Sequence, residues 1–196
     1  MNTHDLFERL VGALDRTGIP YMFTGSFASS YHGMPRASND FDLVMAPTAE
    51  QLRALKAMLP ESGYYFDLED ALDALKRRRQ FNIIDMASGW KIDFIIRKVR
   101  PFSLLEFDRR FQINFEGLPI YMSTAEDVIL AKLEWAKRSE SARQIEDVAG
   151  ILRIRSTDLD HAYIKHWVEK LQIEGRWSEA LKAAGMAGDA PPDQSD

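Results

Sequence analysis

The chain of 196 residues contains no cysteine. That excludes disulfide scaffolds, thiolate metal sites and cysteine nucleophiles, and is neutral about compartment. It has no apolar run approaching the roughly 18–20 residues that span a bilayer, so no membrane segment is expected. The first residues, MNTHDLFERL, form a charged amphipathic stretch without the apolar centre of a secretory signal, and a cytoplasmic protein is the expectation. Positive charge is not in excess. The chain has 25 Lys+Arg against 30 Asp+Glu, a formal net charge of -5, which argues against a protein that simply coats nucleic acid. The remaining composition, 45% hydrophobic and 28% charged, is that of a globular protein long enough for one substantial core, with or without a helical appendage.

The charges are unevenly spread. Through Met122 there are 15 Lys+Arg and 16 Asp+Glu, and from Ser123 onward 10 and 14. The acidic excess therefore sits in the second part of the chain. The hydrophobic pattern changes at the same place. Before it, short apolar runs alternate with helical spacing. Leu6, Leu10, Ala13 and Leu14 mark a first helix, and Tyr21–Phe23 a strand that runs into Thr24-Gly25-Ser26 and a short helix. Phe41–Met45 reads as a second strand, cut off by Pro47. Thr48 is placed to cap a helix carrying Leu52, Leu55, Met58 and Leu59. One helix is expected around Ala71–Lys76. Phe81–Met86 and Trp90–Ile96 form a hairpin about Ala87-Ser88-Gly89, and another strand or hairpin is expected around Phe111–Tyr121, turning at Glu116-Gly117.

From Thr124, which opens a Thr-x-x-Asp helix start ending at Asp127, only helices are expected. The pattern predicts an α+β fold, a small mixed sheet flanked by helices over residues 1–122. A helical bundle over 123–185 and a disordered tail over 186–196 follow it.

Asp40 and Asp42 lie two apart in an apolar strand, so their side chains point to one side. Adjacent carboxylates repel unless they are solvated or share a cation. Asp93 lies in a second apolar strand, Ile92-Asp93-Phe94-Ile95-Ile96. If the two strands are neighbours, three hard oxygen donors converge, a set suited to Mg²⁺ with substrate phosphate completing its shell. Two such ions would activate an attacking oxygen and stabilise a leaving pyrophosphate. Gly25-Ser26 adds a small-residue turn opening a helix, where backbone N–H groups and the Ser26 hydroxyl can meet phosphate.

The stretch TGSFASSYHGMPRASNDFDLV resembles the signature of the nucleotidyltransferase superfamily with the polymerase-β-like fold. The order His32-Gly33-x-x-Arg36-x-Ser38-x-Asp40 is similar to abortive-infection type nucleotidyltransferase toxins and their uncharacterised relatives. So are the later segments Glu126–Leu133 and Arg143–Val148. The resemblance implies Mg²⁺-dependent transfer of a nucleoside monophosphate from a nucleoside triphosphate such as ATP to an acceptor hydroxyl. The acceptor would be an RNA or tRNA end, a protein or a small molecule such as an antibiotic. A toxin–antitoxin or phage-defence setting is implied with it, together with an antitoxin partner and a homodimer.

In that reading Asp40, Asp42 and Asp93 are catalytic and hold the ions, and Asp93 also helps deprotonate the acceptor. Gly25, Ser26, Arg36 and Lys132 bind the nucleotide. Arg36 suits either a bidentate contact to triphosphate or a salt bridge that anchors its loop to the acidic strand. Lys132, on an apolar helix face, suits either phosphate or solvent. Asp147 has the i, i+4 spacing of a helix pair with Arg143, and only the resemblance makes it a site candidate. His32 reads as a packing or capping residue. The basic run Lys76–Arg79 reads as a solvated helix end, with RNA backbone contact as the alternative. Two other functions fit the same residues: a nucleotide- or partner-binding module of weak activity, and a transferase of the γ-phosphate.

Overall fold

The structure, a computed structural model, describes residues 3–38 and 40–186. Beyond Met186, the expected tail lies outside the described residues, as does Asn39. The described residues form two compact units. The first comprises those up to 28 together with 37–124, and the second 29–36 together with those from 125.

The first unit is an α+β layer structure, as the sequence pattern predicts. In chain order it contains α1 (Thr3–Thr17), β1 (Tyr21–Thr24), the start of α2 (Gly25–His32), β2 (Asp40–Met45) and α3 (Ala49–Met58). Next come β3 (Tyr64–Phe66), α4 (Leu68–Arg77), β4 (Gln80–Asp85), β5 (Lys91–Ile96), α5 (Pro101–Asp108), β6 (Phe111–Phe115) and β7 (Leu118–Met122). The strands make one mixed sheet in the order β3-β4-β5-β2-β1-β7-β6. The β2–β5 and β1–β7 pairs are parallel and the other pairs antiparallel.

Local chemistry sets these boundaries. Thr48 Oγ1 accepts the Gln51 N–H at 3.2 Å while Gln51 Oε1 accepts the Thr48 N–H at 2.8 Å, a complete capping box at the start of α3. The β4–β5 hairpin turns where Asp85 Oδ2 accepts the Ser88 N–H at 2.9 Å. Between β6 and β7, Glu116 and Gly117 both have positive φ, 50° and 91°, the two-residue turn whose twist matches the flanking strands.

One face of the sheet is the core. Phe41, Leu43 and Met45 of β2 and Ile92, Phe94 and Ile96 of β5 are buried there. α1 lies over this face with Leu6, Leu10 and Leu14 buried, its Phe7 ring stacked on Phe23 at 5.2 Å and edge-on to Phe41 at 4.5 Å. Burying a side chain of this size contributes about 1.5–3 kcal/mol. Strand alternation then puts Asp40, Asp42, Lys91 and Asp93 on the opposite face. The aromatic trio Tyr64, Tyr65 and Phe66 is the edge strand β3, with Tyr64 and Phe66 buried and Tyr65 exposed. Core packing thus accounts for two of the three.

The second unit holds α6 (Ala125–Ser139), α7 (Ala142–Arg155), α8 (His161–Leu171) and α9 (Glu174–Ala184). Leu133, Val148, Ile151, Leu152, Ile164 and Val168 are buried in it. Residues 29–36 pack here as well, and Gly33 explains how. A Cβ at this position would fall 2.7 Å from Ile151 N and 2.8 Å from Gly150 C, both backbone atoms of α7. Helix backbone cannot yield as a side-chain tip can. Gly33→Ala is therefore expected to cost about 1–3 kcal/mol through overpacking, read as a lower urea midpoint; an unchanged midpoint would show that the contact is not tight. Among the described residues, no helix is long and apolar enough to cross a membrane.

Candidate functional site

The register of β2 and β5 pairs Asp42 with Asp93 and Asp40 with Lys91. Directly paired residues share a face, so Asp42, Asp93, Asp40 and Lys91 form a charged patch across two neighbouring strands. On the other side of β2, Asp42 is paired with Thr24, the last residue of β1. The chain then turns at Gly25 into α2. Gly25 has φ +59°, and a Cβ on it would strike the Asp42 carboxylate and lie 2.7 Å from Asp42 Cβ. Only glycine permits this backbone to pass so close to the carboxylate. The sequence order Gly-Ser, then Asp-x-Asp, then a later strand Asp has thus become a single locus at the C-terminal end of β1.

Ser38 ties the turn to the acidic strand. Ser26 Oγ donates to Ser38 Oγ at 2.9 Å, and Ser38 Oγ in turn makes a short hydrogen bond to Asp40 Oδ1. Ser26 is buried. Its hydroxyl is therefore held beside the first N–H groups of α2 rather than free to rotate in solvent.

Electrostatically the patch is governed by Lys91. Its Nζ lies 2.9 Å from Asp93 Oδ2, with side-chain exposures of 45% for Lys91 and 11% for Asp93. The hydrogen bond to Asp93 holds the Lys91 ammonium pKa above its ordinary value. Partial burial opposes this, and the charges of Asp93, Asp40 and Asp42 add to it. The other oxygen, Asp93 Oδ1, is buried and has no hydrogen-bond partner. A buried carboxylate oxygen without a donor is costly, and a hard cation is one ligand that would satisfy it. The donor set is therefore chemically suited to Mg²⁺. Among the described residues, however, no three His, Asp or Glu side chains are gathered into a group that could hold a metal ion. The carboxylates share a face while Lys91 takes one oxygen of Asp93.

Arg36 and Lys132 belong to the second unit, where both bind Asp147. The Arg36 guanidinium is bidentate, Nε to Oδ1 at 2.8 Å and Nη2 to Oδ2 at 3.1 Å. Lys132 Nζ donates to Asp147 Oδ2 at 2.7 Å and to Gln144 Oε1 at 3.1 Å. Among the described residues these are the partners of Asp147, in place of the Arg143 that helix spacing suggests. Burial alone would raise the Asp147 carboxyl, but the Arg36 hydrogen bond and the Lys132 charge outweigh it and hold the pKa below the usual range. Arg36 does form a salt bridge, but with Asp147 of α7, 111 residues away, and not with the acidic strand that the sequence suggested. His32 is buried edge-on against Tyr31, and its carbonyl accepts Arg155 Nε at 3.0 Å. The basic run is exposed, with Arg77 and Arg79 both reaching Asp73 and Arg78 donating to the Arg97 carbonyl.

No protein-family model and no curated protein sequence matches the chain. Solved structures do. The solution structure of the antibiotic-resistance factor ANT(2'')-Ia is similar over 93% of this chain and 96% of that one, at 16% identity and TM-score 0.55. The crystal structure of ANT(2'')-Ia in complex with adenylyl-2''-tobramycin is similar over 89% and 99%, at 15% identity and TM-score 0.58. An antigenic nucleotidyltransferase-like protein from Paracoccidioides brasiliensis is similar over 89% and 90%, at 18% identity and TM-score 0.52. The chain has the nucleotidyltransferase fold.

Likeness at such identities is a likeness of fold, and a fold does not assign chemistry. Within this nucleotidyltransferase fold, two residues of the charged patch, Ser38 and Lys91, stand in the sequence motifs without a role of their own. Lys91 carried a usable signal, since it is two residues from Asp93 in a strand and must share its face. Ser38 is part of the motif that carries the resemblance, but its link to Ser26 spans a loop of irregular backbone that no periodicity reveals.

Proposed function

We propose that this chain transfers a nucleoside monophosphate from a nucleoside triphosphate to an acceptor hydroxyl, with Mg²⁺ held by Asp40, Asp42 and Asp93. The observation that carries the proposal is the pairing of Asp42 with Asp93 on one sheet face, with the Gly25 backbone pressed against Asp42. A phosphate-binding turn and a set of hard oxygen donors are thereby adjacent. When bound, Mg²⁺ neutralises phosphate oxygens and the charge that builds on the leaving pyrophosphate.

The chain's own groups do the rest. N–H groups at the start of α2 hold the β and γ phosphates, and the Ser26 hydroxyl joins them by turning its proton from Ser38 to a phosphate oxygen. Asp93 takes the proton of the acceptor hydroxyl. The acceptor oxygen bonds to the α-phosphorus as the bond from that phosphorus to the bridging oxygen breaks, and pyrophosphate carries away the electron pair. All these groups belong to the first unit.

The decisive experiment compares α- and γ-labelled triphosphates incubated with the chain, Mg²⁺ and a panel of acceptors. Total RNA and total protein belong in the panel, and so does tobramycin, because ANT(2'')-Ia is known in complex with adenylyl-2''-tobramycin. Label is expected on an acceptor from the α position only, with release of pyrophosphate. Transfer from the γ position alone would replace this reading with a phosphotransferase. Nucleotide binding with no transfer would replace it with a binding module.

A further inference from the structure

Three carboxylates on one face of two adjacent strands need positive charge even while the fold is forming. The chain supplies it internally. Lys91 is the register partner of Asp40, two residues along β5 from Asp93, and shares their face with Asp42. Its Nζ sits 2.9 Å from Asp93 Oδ2. Asp93, with 8% of its surface exposed, keeps its second oxygen buried and without a donor. One ammonium can satisfy only one of the two oxygens in this geometry.

We propose that Lys91 is a tethered counter-ion that competes with the divalent cation for Asp93, and so sets how tightly the site binds metal. This rests on the assignment of Asp40, Asp42 and Asp93 as metal donors under the proposed function. Asp93 would hold a divalent ion only against the like charge of Lys91, whose ammonium would have to leave Oδ2. Lys91 side-chain exposure of 45% leaves the ammonium a route into solvent on its four-carbon stem. The physical consequence is a site that stays folded without metal and engages it weakly until a triphosphate adds its own oxygens. Lys91 acts through the carboxylates and is a positioning residue rather than a catalytic one.

The test is direct titration of the full chain with Mn²⁺ alone, without nucleotide, followed by calorimetry or by the paramagnetic signal of free Mn²⁺. Lys91→Met is expected to bind Mn²⁺ roughly tenfold more tightly than the unsubstituted chain, the scale of removing one positive charge beside a divalent ion in a solvated site. Lys91→Arg, which keeps the charge, is expected to remain near the original affinity. Lys91→Gln supplies the same readout if the Met variant does not fold. Affinity that is unchanged or weaker in Lys91→Met or Lys91→Gln overturns the proposal, and so does tightening that Lys91→Arg reproduces. A third substitution separates this failure from failure of the metal assignment. Asp93→Asn should weaken Mn²⁺ binding, and if it does not, the donor assignment itself falls.

Discussion

Asp42→Asn is expected to lower nucleotidyl transfer by roughly a thousandfold, the scale of removing one preorganised electrostatic contact to a transition state, and to leave the chain slightly more stable. The two halves of this expectation have one cause. Asp42 is the direct register partner of Asp93, and like charges directly opposite each other in a sheet cost about 0.2–1 kcal/mol. Lys91 offsets this only in part, because its ammonium is committed to Asp93 Oδ2. The asparagine keeps the shape that fits under Gly25, so the turn is not disturbed. It removes the charge that makes the position useful and the repulsion that makes it costly.

Stability at a site of this kind is given up for function, and a variant that loses activity while melting a few degrees higher displays that exchange. The measurements are label transfer from an α-labelled triphosphate and a thermal melt of the same preparation. Transfer at an undiminished rate would remove Asp42 from the site. A melting temperature several degrees lower would show that Asp42 is a structural acid, and the loss of activity would then say nothing about chemistry.

Where local pattern decides structure, the sequence was readable. Thr48 announced the α3 cap through the residue types of a capping box. Ala87-Ser88-Gly89 announced the β4–β5 turn, and Glu116-Gly117 the β6–β7 turn. The alternation in Asp40-Phe41-Asp42-Leu43 told correctly which side chains share a face. Two elements gave no such signal. β3 is three residues long, too short for a period to show, and its two buried aromatics could equally lie on a loop. α5 is apolar around most of its circumference, with Phe102, Leu104, Leu105 and Phe107 in close succession, so no face stands out against another.

The ion cluster of the second unit was invisible for a different reason. Arg36 and Asp147 are separated by 111 residues, and nothing local to either names the other. For Arg36 the alternatives were a phosphate contact and a salt bridge to the acidic strand, and the partner that the structure shows, Asp147 of α7, is neither.

That cluster carries the other large expected effect. Asp147→Asn should destabilise the second unit by about 3–5 kcal/mol, because it removes one partner of a buried ionic set and leaves the others charged. Side-chain exposure is 8% for Asp147 and 6% for Lys132, against 29% for Arg36. Arg36 can turn toward solvent, whereas Lys132 cannot without opening the packing of α6 and α7. The cost therefore falls mainly on Lys132, and Lys132→Met in the same chain should recover part of it, a non-additivity that independent sites would not show.

Acid provides a second route to the same group. The Asp147 carboxyl titrates below its ordinary range in the folded chain, so folding favours its charged form. Its contribution is complete above the unfolded carboxyl pKa of about 3.9 and is lost as the pH falls through the lower folded value. Tryptophan fluorescence suits the measurement, since Trp135, Trp167 and Trp177 are three of the four tryptophans and all lie in the second unit. The gap in urea midpoint between the unsubstituted chain and Asp147→Asn, measured from pH 7 down to pH 3, should start to narrow as the pH falls below about 3.9, where the unfolded chain takes up a proton that the folded carboxyl still refuses. A gap that stays constant to pH 3 would mean that Asp147 contributes through shape and hydrogen bonding rather than through its charge.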